Sequence, residues 1–202
     1  MTVELRPAVR EDAADLVRLI DMAAEGLPHL LWSSLAGPGE DAWSVGQSRA
    51  ERDEGAFSWR NATVAVDADR VAGALVGYPN RAAEPLDDLP PLLRPIVDLE
   101  NQAVGSWYVN ALAVYPPWRR RGVAAALMAE AERLARLAGC EAVSLIAADA
   151  NLPALRFYAA QGFERRDSRA MVKDGWQNES EHWLLLVRPV PVGPVPVGPV
   201  EG

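Results

Sequence analysis

The chain has 202 residues, half of them hydrophobic and 24% charged, with a formal net charge of −8. That length supports one sizeable core but not comfortably two, and no apolar run approaches the roughly 20 residues that cross a bilayer. The negative balance disfavours nonspecific nucleic-acid binding, which needs a broad basic face, and the single cysteine, Cys140, excludes an internal disulfide framework and fits a reducing, cytoplasmic compartment.

Val3-Glu4-Leu5-Arg6 alternates and predicts a first strand. A helix follows from about Arg10 or Glu11 to Ala24, with Ala13, Leu16, Val17 and Ile20 on one face and Gly26 and Pro28 ending it. The pattern from His29 to Arg60 is less regular, with a second helix expected over 42–52. The large apolar groups there, among them Leu31, Trp32, Trp43 and Phe57, are either a substrate wall or packing between helices and sheet. Residues 63–66 and 71–78 read as an antiparallel hairpin about the turn Asp67-Ala68-Asp69-Arg70. Residues 79–105, punctuated by Pro85, Pro90, Pro91 and Pro95, read as an insertion with a short helix after Pro90 or Pro91. It either covers a site or is a plain surface excursion.

Residues 106–114 predict the central strand, with Trp107, Val109, Ala111 and Ala113 on one face and Tyr108, Asn110, Leu112 and Val114 on the other. Pro116 and Pro117 break the ladder, Arg119, Arg120, Arg121 and Gly122 follow, and a helix runs to about Ala138. Unpaired N–H groups at that helix start, with three arginines beside them, suit an anion such as a pyrophosphate; a basic turn that merely caps the helix is the plain alternative. A strand over 142–147 makes a parallel crossover unit with 106–114. Asn151 is placed to cap a helix that Gly162 ends, and strands over 164–172 and 182–187 close the domain, here taken as 1–188. The tail 189–202 repeats Pro-Val-Pro-Val-Gly and is expected to be disordered or extended.

Two segments carry a family resemblance. Arg119, Gly122 and Ala124, preceded by Leu112-Ala113-Val114-x-Pro116, match Arg/Gln-x-x-Gly-x-Gly/Ala. About 30 residues later, the run from Asn151 to Phe163 fills every position of Asn-x-x-Ala-x-x-Phe/Leu-Tyr-x-x-x-Gly-Phe. In this order they resemble the GNAT superfamily of acetyl-CoA-dependent N-acetyltransferases, over roughly residues 64–187. The resemblance implies an α/β fold with a central, mostly antiparallel mixed sheet, helices on both faces, and acetyl-CoA in a gap where parallel strands 106–114 and 142–147 splay apart. It assigns the pantetheine and thioester to Leu112, Ala113 and Val114. The pyrophosphate falls to Arg120, Arg121, Gly122, Val123, Ala124 and Ala125 with Arg119 beside them, and further cofactor contacts to Asn151, Ala154 and Phe157. A β-bulge near Asn110 or Ala111 is expected to free main-chain groups for the ligand.

Tyr158 is the expected catalytic residue, a phenol that gives its proton to the departing CoA thiolate; a tyrosine that only packs on the pantetheine is the alternative. The strand brings Trp107, Tyr108 and Asn110 but no carboxylate, so the base that takes the amine's proton stays open. Glu100, Asp149, His182 and His29 qualify by chemistry alone. The resemblance implies acetyl transfer to a primary amine of a small molecule or peptide, with no metal, nucleic acid or membrane and with a homodimer compatible. An acyl-CoA-binding module without turnover is the second reading.

Overall fold

The computed structural model describes residues 3–191, which form seven strands and six α-helices. The strands are β1 (Glu4–Pro7), β2 (Ala62–Asp67), β3 (Arg70–Pro79), β4 (Trp107–Val114), β5 (Ala142–Ala148), β6 (Glu164–Ala170) and β7 (His182–Pro189). The helices are α1 (Ala13–Ala23), α2 (Leu27–Leu35), α3 (Ala42–Ala50), α4 (Arg94–Asn101), α5 (Val123–Leu137) and α6 (Leu152–Ala160). One mixed sheet runs in the order β1-β2-β3-β4-β5-β7-β6, and every neighbouring pair is antiparallel except β4 and β5. Two left-handed residues, Ala68 at φ 46° and Asp69 at φ 65°, close the β2–β3 hairpin as a tight turn requires.

Apolar side chains leave the sheet on both faces. On one, Leu127, Met128 and Ala131 of α5 and Tyr158 of α6 pack on Leu75, Val109, Val143 and Leu145. On the other, Leu16, Val17 and Ile20 of α1 cover Val64, Ala74, Val76 and Ala111, while Leu99 of α4 joins Leu27, Trp176, Trp183 and Leu185 beside β5 and β7. The α2–α3 contact depends on Gly46, where any Cβ would collide with the Trp32 indole. No helix among the described residues is long and apolar enough to cross a membrane.

Three features depart from the sequence reading. First, α1 ends ahead of Gly26 as read, at Ala23, but a further helix that the sequence reading did not contain begins directly after it. Gly26 adopts φ 87°, and α2 begins at Leu27 with Pro28 in its first turn, where a missing N–H costs nothing. Second, the bulge expected near Asn110 or Ala111 is present, and it overturns the strict alternation of faces read for β4. Its register to β3 jumps from Val76↔Ala111 to Gly77↔Val109, so Asn110 is an extra, bulged residue. The bulge reverses the facing of everything after it: Trp107, Val109 and Val114 face α5, whereas Ala111 and Ala113 face α1. Third, β7 runs on to Pro189, and the Val190 N–H reaches the Glu141 carbonyl at 2.8 Å. The repeat from residue 192 onward lies outside the described residues.

Candidate active site

Strands β4 and β5 are in register at only three positions, Trp107↔Val143, Tyr108↔Ser144 and Val109↔Leu145. Past Val109 the two strands part, and the edge of β4 facing β5 is released from the ladder from the bulge at Asn110 onward. A cavity of about 340 Å³ fills the opening. Leu112, Ala113 and Val114 form its β4 wall, Ile146, Ala147 and Ala148 its β5 wall, and Asn151, Ala154, Phe157 and Tyr158 of α6 close one side. Two donors on wall residues, Asn110 Nδ2 and Trp183 Nε1, are buried and have no hydrogen-bond partner among the described residues.

The basic loop after β4 is pinned from three directions. The Tyr115 hydroxyl donates to Asp15 Oδ1 of α1 at 2.7 Å, Trp118 Nε1 donates to Asp67 Oδ2 of the β2–β3 hairpin at 2.8 Å, and Arg119 Nε donates to the Val114 carbonyl at 2.9 Å. Arg119 also lines the cavity and lies against Met22 Sδ. Arg120 at φ 60° and Gly122 at φ 83° turn the chain sharply into α5, which starts with no side-chain cap. The first N–H groups of α5, from Val123 to Ala125, therefore point outward at a helix start, where the dipole favours an anion. Of this group only Arg119 and Ala124 contribute to the cavity wall; Arg120, Arg121 and Gly122 are exposed beyond it, and the Val123 side chain belongs to the core.

Tyr158 is 8% exposed, with its ring against Phe157 and Phe163. Burial pushes its hydroxyl up to about 12, so the phenol keeps its proton through the neutral range. Asn151 has two duties besides lining the cavity. Its Oδ1 accepts from the Ala154 N–H at 3.2 Å and caps α6, and its Nδ2 donates to Glu25 Oε1 at 2.8 Å. Glu25, in the turn between α1 and α2, was not singled out in the sequence. Its second carboxylate oxygen accepts from Asn178 Nδ2 at 2.7 Å, its carbonyl accepts from Trp176 Nε1 at 3.2 Å, and its backbone sits at φ 54°. A left-handed, non-glycine residue ahead of Gly26 is a strained position held by its surroundings. Nothing in a single sequence marks it, because its partners lie more than a hundred residues away.

None of the four groups named as bases lines the cavity. Asp149 pairs with His182 at 3.2 Å, and the His29 ring packs on Trp43. Glu100 lies instead at a second cavity of about 280 Å³, with Glu84 and Asn101. Burial pushes its carboxyl up to about 7, the Glu84 charge adds to the rise, and a hydrogen bond from the Tyr78 hydroxyl at 3.2 Å opposes it. Tyr78 touches the Tyr108 ring, which is part of the main cavity wall. Of the apolar groups between His29 and Arg60, Leu31 and Phe57 reach the cavity, as do Leu93 and Ile96 from the 79–105 segment.

The arrangement has counterparts among solved structures. The crystal structure of an acetyltransferase superposes with a TM-score of 0.65 at 17% identity, covering 93% of this chain and 100% of that one. An N-acetyltransferase from Staphylococcus aureus Mu50 gives 0.63 at 17% identity, over 92% and 100%. The ribosomal-protein-S18-alanine N-acetyltransferase from Escherichia coli gives 0.59 at 12% identity, over 95% and 96%. At these identities the likeness concerns the fold. No curated protein matches the sequence. The family model described as Acetyltransferase (GNAT) family matches residues 27–163. That span is more than half of the chain, and the protein belongs to the GNAT acetyltransferase family, whose cosubstrate is acetyl-CoA.

Proposed function

We propose that the protein moves the acetyl group of acetyl-CoA onto a primary amine by direct attack. The observation that carries this reading is the parting of β4 and β5 after three paired positions, with Tyr158 facing the opening from α6. Acetyl-CoA, when bound, supplies a thioester whose carbonyl carbon accepts the amine nitrogen while its C–S bond breaks. In this reading the freed main chain of Leu112, Ala113 and Val114 holds the acyl arm, and a β4 N–H donates to the carbonyl oxygen as negative charge develops there. The N–H groups from Val123 to Ala125, with Arg120 and Arg121, take the pyrophosphate. Tyr158 gives its proton to the leaving sulfur, and the proton that the attacking nitrogen sheds passes to solvent, from which the phenol is restored. The tyrosine's place in the cavity wall, with the ring held against Phe157 and Phe163, supports that role, and the phenol is protonated at neutral pH. The residues fit the group: a channel free of ladder pairing leads from an uncapped helix start to a protonated phenol.

The test is release of CoA, followed with a thiol reagent, over a panel of primary amines. Release that depends on the amine is the expected result. Tight acetyl-CoA binding by calorimetry with no amine-dependent release would identify a binding module instead, and loss of both would remove the assignment of the cleft.

A further inference from the structure

The helices and the segments before β2 and α4 line the cavity opposite the strands with mostly apolar side chains. Among the residues of its wall only Glu25 and Arg119 are charged, and Arg119 is already engaged with the Val114 carbonyl and Met22. One carboxylate, exposed and held by the Asn151 and Asn178 amides, is therefore available to a cation, and the same cavity wall carries the apolar groups Leu27, Leu31, Phe57, Leu93 and Ile96. Leu27 and Leu31 belong to α2, Phe57 to the segment before β2, and Leu93 and Ile96 to the start of α4. Three separate segments thus bring apolar side chains to one opening. Leu31, Phe57, Leu93 and Ile96 are only half-buried, so the chain leaves part of this surface uncovered.

Resting on the acetyl-transfer reading, we propose that the acceptor is a primary monoamine with an apolar carbon skeleton, its ammonium end drawn in by Glu25 and its hydrocarbon laid against Leu31, Phe57, Leu93 and Ile96. Glu25 is suited to this by geometry. Each of its carboxylate oxygens takes one asparagine amide, which leaves lone pairs on both for a further N–H donor, and the Trp176 bond to its carbonyl holds the turn in place. A polycation fits poorly, because its remaining charges would be desolvated against hydrocarbon with no carboxylate to meet them. Leu93 and Ile96 lie on the 79–105 segment, so this segment of the chain shapes the acceptor end.

The experiment uses the full chain with saturating acetyl-CoA and compares kcat/KM, corrected for each amine's neutral fraction, for ethanolamine, butylamine, hexylamine, 2-phenylethylamine, spermidine and peptides with N-terminal leucine or serine. The expected result is a rise of at least about tenfold from ethanolamine to hexylamine, with spermidine below hexylamine. Ile96→Ser and Leu93→Ser should each flatten that dependence on chain length while acetyl-CoA affinity by calorimetry stays the same, which shows that the fold is intact. Glu25→Gln should raise KM for hexylamine. Preference for hexylamine over the leucine peptide supports a free amine as the source, and the reverse supports a peptide N-terminus. Ethanolamine or spermidine equal to hexylamine, or an unaltered chain-length dependence in both serine variants, would overturn the proposal. If no amine is turned over, hexylammonium binding to the CoA-loaded protein decides: binding sinks the transfer reading but keeps the apolar amine site, and its absence removes both.

Discussion

Burial keeps the Tyr158 phenol protonated, which rules it out as a base at neutral pH. A group whose charged form is disfavoured by its surroundings holds its proton, and the rise to about 12 leaves no deprotonated fraction at neutral pH. Tyr158→Phe is expected to lower kcat about a hundredfold or more with little change in acetyl-CoA affinity, read by steady-state kinetics and calorimetry. The sign of the shift also predicts that kcat does not fall with rising pH through loss of this proton anywhere in the neutral to mildly alkaline range. Tyr158, Asn151, Ala154 and Phe157 could be read from the sequence because they share one short helix with fixed spacing. Glu25 could not. It lines the site only because Asn151 and Asn178 converge on it from the far end of the chain. The same limit explains Glu100: chemistry nominated it, but its position in α4 sends it to a separate cavity behind Tyr78.

At the scale of elements, the bulge in β4 decides what the site strand presents. An alternating pattern of apolar and polar residues carries no mark of an extra residue. The family resemblance implied a bulge near Asn110 or Ala111, and it is there, but the faces read from alternation hold only up to Val109 because they were drawn without it. Gly77, opposite the bulge, is part of the same device. A Cβ there would run into the Trp107 indole and the Tyr108 carbonyl, and backbone cannot yield as a flexible side-chain end does. Gly77→Ala should therefore destabilise the protein by about 1–3 kcal/mol, measured by urea unfolding, and should weaken acetyl-CoA binding more than its distance from the pyrophosphate loop would suggest. The existence and order of most strands and of α1, α5 and α6 were legible from periodicity and caps. Helix α2 was not, because Gly-Leu-Pro reads equally as a stop or as the first turn of a new helix.

Across the whole molecule, the sheet's first edge is tied to the helical face by one charged cluster. Arg6 of β1 donates to both carboxylate oxygens of Asp12 at 2.7 and 2.9 Å, and the Val9 N–H adds a third bond at 2.8 Å. Burial works against ionisation of Asp12, but the hydrogen bonds from Arg6 and Val9 and the Arg6 charge outweigh it, and its carboxyl lies below the ordinary range. A carboxyl lowered in the folded state adds stability above its unfolded value and loses it as pH falls through the folded one. Asp12→Asn should cost about 1–3 kcal/mol at neutral pH in urea unfolding, and the gap to the parent protein should narrow at about pH 3.

The strand order has a further consequence, in time rather than in space. Strand β7 lies between β5 and β6, although it follows both in the chain. As the polypeptide emerges from a ribosome, β1 to β4 can pair one after another, but β5 has one short parallel partner on one side and an open edge on the other until residues 182–189 arrive. The cleft wall formed by Ile146, Ala147 and Ala148 is thus fastened last, by Leu185, Leu184 and Trp183 of the final strand. Nascent chains that stop short of β7 carry both sequence motifs and yet lack a set cleft, so acetyl-CoA can favour folding only once residues 182–189 have been made.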